Sequence, residues 1–171
     1  MTKLSVLTFP DPRLRHQAKR VTSFDANLRE LAEAMLETMY AEGGMGLAAV
    51  QVGEPKQLIV VDLHAGDEDQ GTRDPRAFVN PEILESQGEA IAEEGCLSVP
   101  EFTAEVKRAE KIRLRYQTLG GTEREERLEG LAAACLQHEI DHLQGKLFVD
   151  RLPRVQREMV KKRLIKLAHS A

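Results

Sequence analysis

A chain of 171 residues has room for one hydrophobic core, and 42% apolar with 30% charged residues is the balance of a folded, soluble chain. A net charge of −4 excludes chain-wide attraction to nucleic acid, and no stretch approaches the roughly 20 continuous apolar residues of a bilayer span. The opening residues lack the apolar core and small-residue cleavage site of a secretory signal. The expected location is therefore the cytoplasm, where Cys96 and Cys135 favour metal binding or burial over a disulfide.

With no internal repeat, low-complexity tract or linker, the expectation is a single domain over residues 1–171. Residues 6–9 read as a short strand ended by Pro10 and Pro12. From Asp25, a plausible N-cap, Leu28, Leu31, Ala32, Met35, Leu36 and Met39 recur at helical spacing, and Gly43-Gly44 stops the run. A glycine-rich segment at 43–53 reads as a loop. Residues 58–63 form an apolar run suited to a buried strand, followed by a loop at 64–76. Further strands are expected at 77–79, 83–86, 103–106 and 111–117, the last alternating apolar and basic residues, with a hairpin-type turn at Gly120-Gly121. A second helix is predicted over about 129–144, closed by Gly145. A third follows over about 154–168, with Val155, Met159, Leu164 and Leu167 near one side. Helix, short strands, then helices predict an α+β fold with mostly antiparallel short strands around the second helix, flanked by an N-terminal and a C-terminal helix.

Within the second helix stands Gln137-His138-Glu139-Ile140-Asp141-His142, which contains H-E-x-x-H. Residues four apart project from one face with about 6 Å of axial rise between them, so both imidazoles can hold one ion. Glu139 is then beside the ion, where a carboxylate can accept a proton from water. The helix is otherwise apolar, and burying these three side chains without compensation would be costly. A third protein ligand is still needed. Cys135 lies on the same stripe but about 7.5 Å along the axis from the midpoint of the pair, too far for a short side chain. Glu158, 16 residues beyond His142, and Cys96, between Gly95 and the Pro100 turn, remain candidates.

Three segments together resemble the peptide deformylase family: Gly44-Met45-Gly46-Leu47-Ala48-Ala49-Val50-Gln51, Glu94-Gly95-Cys96-Leu97-Ser98, and Gln137 to His142. They occur in the family's order, and the likeness runs over nearly the whole chain. The resemblance implies a metal-dependent hydrolase that removes the formyl group from the N-terminal formyl-methionine of nascent polypeptides. It implies Cys96, His138 and His142 as metal ligands and Glu139 as general base and then acid. Gln51 and the Leu97 backbone N–H would stabilise the oxyanion, with Gly44 and Gly46 lining the substrate. Fe²⁺ is the metal implied, with Zn²⁺, Ni²⁺ or Co²⁺ able to substitute. Phe102-Thr103 stand where many relatives place a basic residue that helps hold substrate. The last helix carries Arg154, Arg157, Lys161, Lys162, Arg163 and Lys166 against Glu158 alone. Such a face is either simply solvated or, as the resemblance suggests, a dock for ribosomal RNA.

Overall fold

The computed structural model describes residues 4–170. Helix α1 (Ala26–Ala41) begins where the Asp25 carboxylate accepts a hydrogen bond from the Leu28 backbone N–H, and the chain leaves it through Gly43 in the left-handed region. Its Leu28, Ala32, Met35 and Met39 are buried, as their spacing predicts.

Among the described residues, seven strands form two antiparallel sheets. One has the order β1 (Gly46–Ala48), β2 (Leu58–Val61), β3 (Arg76–Gln87), β6 (Lys111–Gln117) and β7 (Glu123–Glu129). The other is the hairpin of β4 (Ala90–Cys96) and β5 (Val99–Arg108). Strand β2 is apolar at every position because both its faces are covered. Leu58 and Val60 pack toward α1, whereas Ile59 and Val61 pack with Phe78, Leu114 and Tyr116 against α2 (Gly130–Leu143). Helix α2 thus lies on the five-stranded sheet and also touches β4. A third cluster joins β5 to Leu147, Phe148, Val149 and Leu152 and to Leu164 of α3 (Arg154–Ser170).

The α+β expectation holds, with differences of detail. Residues 6–9 form no strand, and Phe9 already belongs to a turn; the Leu7 and Phe9 N–H groups donate singly to the carbonyls of Gln51 and Ser98. The glycine-rich segment is not all loop, since Gly46–Ala48 pair with β2. The two strands expected either side of Pro81 are one, because a bulge between Val79 and Glu82 accommodates the proline and Asn80 there adopts φ 51°. Strand β7 is almost wholly charged and gave no apolar alternation. It is held by pairing with β6 and by cross-strand contacts such as Arg113 with Glu125. In α3 the buried side is Leu164, with Val160 packed beside it, while Val155 and Met159 are 74% and 67% exposed, contrary to the expected stripe. No helix among the described residues is long and apolar enough to cross a membrane.

Candidate metal centre

Residues four apart on α2 put His138 and His142 side by side, with their Nε2 atoms 3.2 Å apart. The tip of the β4–β5 hairpin brings a third donor: Cys96 Sγ lies 3.3 Å from His142 Nε2. The hairpin has a register shift between Gly95 and Cys96, and Glu101 takes φ 70° on the returning strand. This irregularity lets the thiol leave the regular pleat. The three donor atoms all lie within 4.8 Å of one another. Tetrahedral coordination at ordinary bond lengths would set nitrogen atoms about 3.3 Å apart and nitrogen about 3.6 Å from sulfur, so the set fits one ion. The protonation pattern fits as well. His138 Nδ1 sits 2.8 Å from Glu94 Oε1, and a proton held there leaves the Nε2 lone pair facing the other donors.

Glu139 is almost wholly buried beside this cluster, and its Oε1 has no hydrogen-bond partner. Burial pushes its carboxyl up to about 7, against the pull of His138. Its other oxygen lies where a Cβ on Gly46 would come to 2.7 Å, so only glycine lets β1 pass so near the carboxylate. A Cβ on Gly44 would likewise meet Leu97 Cδ1 at 2.9 Å. Gln51, buried in the short 3-10 turn Ala49–Val52, is held at both ends of its amide. Its Oε1 accepts from the Ala48 N–H at 2.9 Å, and its Nε2 donates to Ser98 Oγ at 3.0 Å and lies 3.5 Å from Cys96 Sγ. Leu97 is the residue after the thiol in the hairpin turn. A cleft of about 620 Å³ collects these parts, lined among others by Gly44, Gly46, Gln51, Cys96, Leu97, His138 and Glu139.

The competing third ligands fall away from the cluster. Glu158 is exposed on α3, and Cys135 is buried under β1, where burial pushes its thiol well up. Both cysteines are free. His16, His64 and His169 are exposed, as expected. Sequence reasoning missed the charges behind the ligands. Arg108 pairs with Glu94 at 2.7 Å and with Asp141 at 2.8 Å, and Asp141 also accepts two hydrogen bonds from Arg151. Burial opposes the charge on Glu94, but Arg108 and His138 hold its carboxyl below the usual value. Glu94 and Asp141 lie inside the quoted motifs, which was the one available signal; Arg108 sits in a charged run that reads as solvated.

Two helix histidines and a cysteine from a neighbouring hairpin form a donor set that could hold one metal ion, with a buried carboxylate beside it, the arrangement expected of a metal-dependent hydrolase. The family profile described as polypeptide deformylase matches residues 3–158. The peptide deformylase of Alkalilimnicola ehrlichii is 48% identical over 98% of this chain and 92% of its own length. That of Rhizorhabdus wittichii is 51% identical over 94% and 93%. A solved peptide deformylase from Legionella pneumophila superposes with a TM-score of 0.89 at 43% identity, over 98% of this chain and 96% of that one. The chain belongs to the peptide deformylase family, whose members are metal-dependent enzymes that remove the formyl group from the N-terminal formyl-methionine of nascent polypeptides.

Proposed function

We propose that this chain carries out deformylation as a single catalytic domain, with Cys96, His138 and His142 holding the metal and Glu139 moving the proton. The observation that supports this most is the buried, unpartnered Glu139 Oε1 beside the three converging donors, with Glu139, Cys96 and His138 lining one cleft. When bound, the ion polarises the formyl oxygen and makes water a better nucleophile. Glu139 accepts a proton from the attacking water and returns it to the departing amine. A carboxyl raised to about 7 suits both tasks near neutral pH. The Gln51 amide turns the N–H that lies toward Cys96 Sγ to where negative charge gathers on the former formyl oxygen, and the Leu97 backbone N–H donates there as well. Gln51 can aim this donor because Ser98 and Ala48 fix the amide plane. Gly44 and Gly46 leave the cleft wall low enough for an extended peptide to lie along it.

The donor set of one thiolate and two imidazoles accepts Fe²⁺, and Zn²⁺, Ni²⁺ or Co²⁺ as substitutes; Fe²⁺ is the ion proposed. The cytoplasm is the proposed location, where nascent formylated chains are found. The basic face of α3 is proposed to dock on the ribosome, supported by Arg154, Lys162, Arg163 and Lys166, which all point to solvent. The test of the central reading is formate release from formyl-Met-Ala-Ser by protein purified without oxygen and loaded with Fe²⁺ or Ni²⁺. Glu139→Ala is expected to lose at least about 10²–10⁴-fold in rate while keeping its metal. Near-normal turnover in that variant would sink the proposed role of Glu139.

A further inference from the structure

Behind the ligands runs a line of four alternating charges that the roles above do not use. Glu94 Oε1 meets His138 Nδ1 at 2.8 Å, and Arg108 grips the same carboxylate through Nε and Nη2, both at 2.7 Å. The remaining arm of Arg108 donates to Asp141 at 2.8 Å, and Arg151 closes on Asp141 with two bonds of 2.7 and 2.8 Å. The side chains of Glu94, Arg108 and Asp141 are 8%, 2% and 8% exposed, whereas Arg151 is 41% exposed.

Arg108 thus fixes both oxygens of Glu94, including the one that meets His138. Without that fork Glu94 could swing away from His138 Nδ1, and the imidazole would lose the contact that turns its Nε2 toward the other donors. His142 has no such support, because its Nδ1 is buried without a partner. The charged line therefore reaches the histidine pair through His138. The fork of an arginine is required here, since one ammonium could not hold Glu94 in two places and Asp141 in a third.

We infer that Arg108 is a positioning residue for His138, acting through Glu94, and that Arg151 extends this support through Asp141 to the turn preceding α3. The inference rests on the reading of Cys96, His138 and His142 as the metal ligands. The C-terminal part of the chain thereby bears on metal retention without touching the cleft, because Arg151 belongs to the 3-10 turn Phe148–Arg151 that packs with α3.

The experiment measures loss of Co²⁺ from the loaded protein to an excess of chelator, followed by visible absorption, with folding of each variant checked by circular dichroism. Arg108→Met is expected to release Co²⁺ about 10–100-fold faster than the parent. Arg151→Met is expected to do so roughly 3–10-fold faster, because its pair is half open to solvent. If Arg108 acts through Glu94, the double variant Glu94→Gln/Arg108→Met releases metal no more than about twofold faster than Glu94→Gln alone. Parental release rates in folded Arg108→Met and Arg151→Met would overturn the inference, as would single effects that multiply in the double variant. Should Arg108→Met fail to fold, Arg108→Lys and Arg151→Met decide by the same criterion. Undiminished retention in Cys96→Ser would instead overturn the ligand reading, and this inference with it.

Discussion

Gly46→Ala adds one carbon to the cleft wall, and the structure sets where that carbon goes. It would stand 2.7 Å from Glu139 Oε2, 3.2 Å from its carboxyl carbon and 3.1 Å from Cys135 Sγ. Ordinary contact begins near 3.4 Å, so the carboxylate must retreat by about 0.7 Å or the strand must lift. Glu139 can yield only by turning its carboxyl into the cleft, away from the place where it sits beside the three donors. A displacement approaching 1 Å in a proton-transferring group costs about 10²-fold in rate, equivalent to about 2.7 kcal/mol of barrier. The crowding should also lower stability by about 1–3 kcal/mol. The assay is formate release from formyl-Met-Ala-Ser together with metal content by elemental analysis. The expected outcome is a kcat lower by about 10²-fold with metal still bound, since Gly46 touches none of the three donors. A fully metallated variant turning over within threefold of the parent would refute the claim that this glycine exists to make room for Glu139.

Gln51→Ala removes an amide already fixed by Ser98 and Ala48, and kcat for deformylation should fall about 10²–10³-fold with a smaller change in KM. Asp150 accepts from Arg15, the Leu147 N–H and Lys161; burial works against its charge, but these partners hold its carboxyl down to about 2 from 3.8. Its folded value lies below its unfolded one, so its stabilisation is complete above about pH 4 and disappears as pH falls through about 2. After allowance for solvent screening, Asp150→Asn should cost ~1–2 kcal/mol in urea unfolding at pH 7 and nearly nothing at pH 2. Gly145→Ala would press a Cβ to 2.5 Å from the Arg15 carbonyl at φ 76°, and a loss of roughly 2–4 kcal/mol is expected by the same unfolding measurement.

Helix α2 was legible because its histidines, its glutamate and its Ala/Leu face all obey one period, and Asp25 announced α1 through the chemistry of a cap. Strand β7 was illegible for the opposite reason. Six of its seven residues are charged, and what makes it a strand is its neighbour β6, which leaves no trace in its own composition. The choice among Cys96, Cys135 and Glu158 could be narrowed by helical geometry only for Cys135, which lies on the same helix as the histidines. Placing Cys96 required the hairpin, a contact across 46 positions of sequence. Arg108 was missed because charge in a polar run looks solvated until two buried carboxylates are found around it. The resemblance supplied what local pattern could not: that three segments far apart in sequence belong to one cleft.

The division of the three donors between a hairpin and a helix has a mechanical meaning. Cys96 ends a hairpin that belongs to neither the long sheet nor α2, while both imidazoles ride on the helix. An ion held by all three, as proposed above, would therefore act as a latch, closing a long span of chain much as a crosslink would and drawing on the same loss of freedom in the open chain. Stripping such an ion would slacken the hairpin at the end that carries Leu97 and the wall of the cleft. The shape that receives the peptide and the chemistry that removes its formyl group would then be released together.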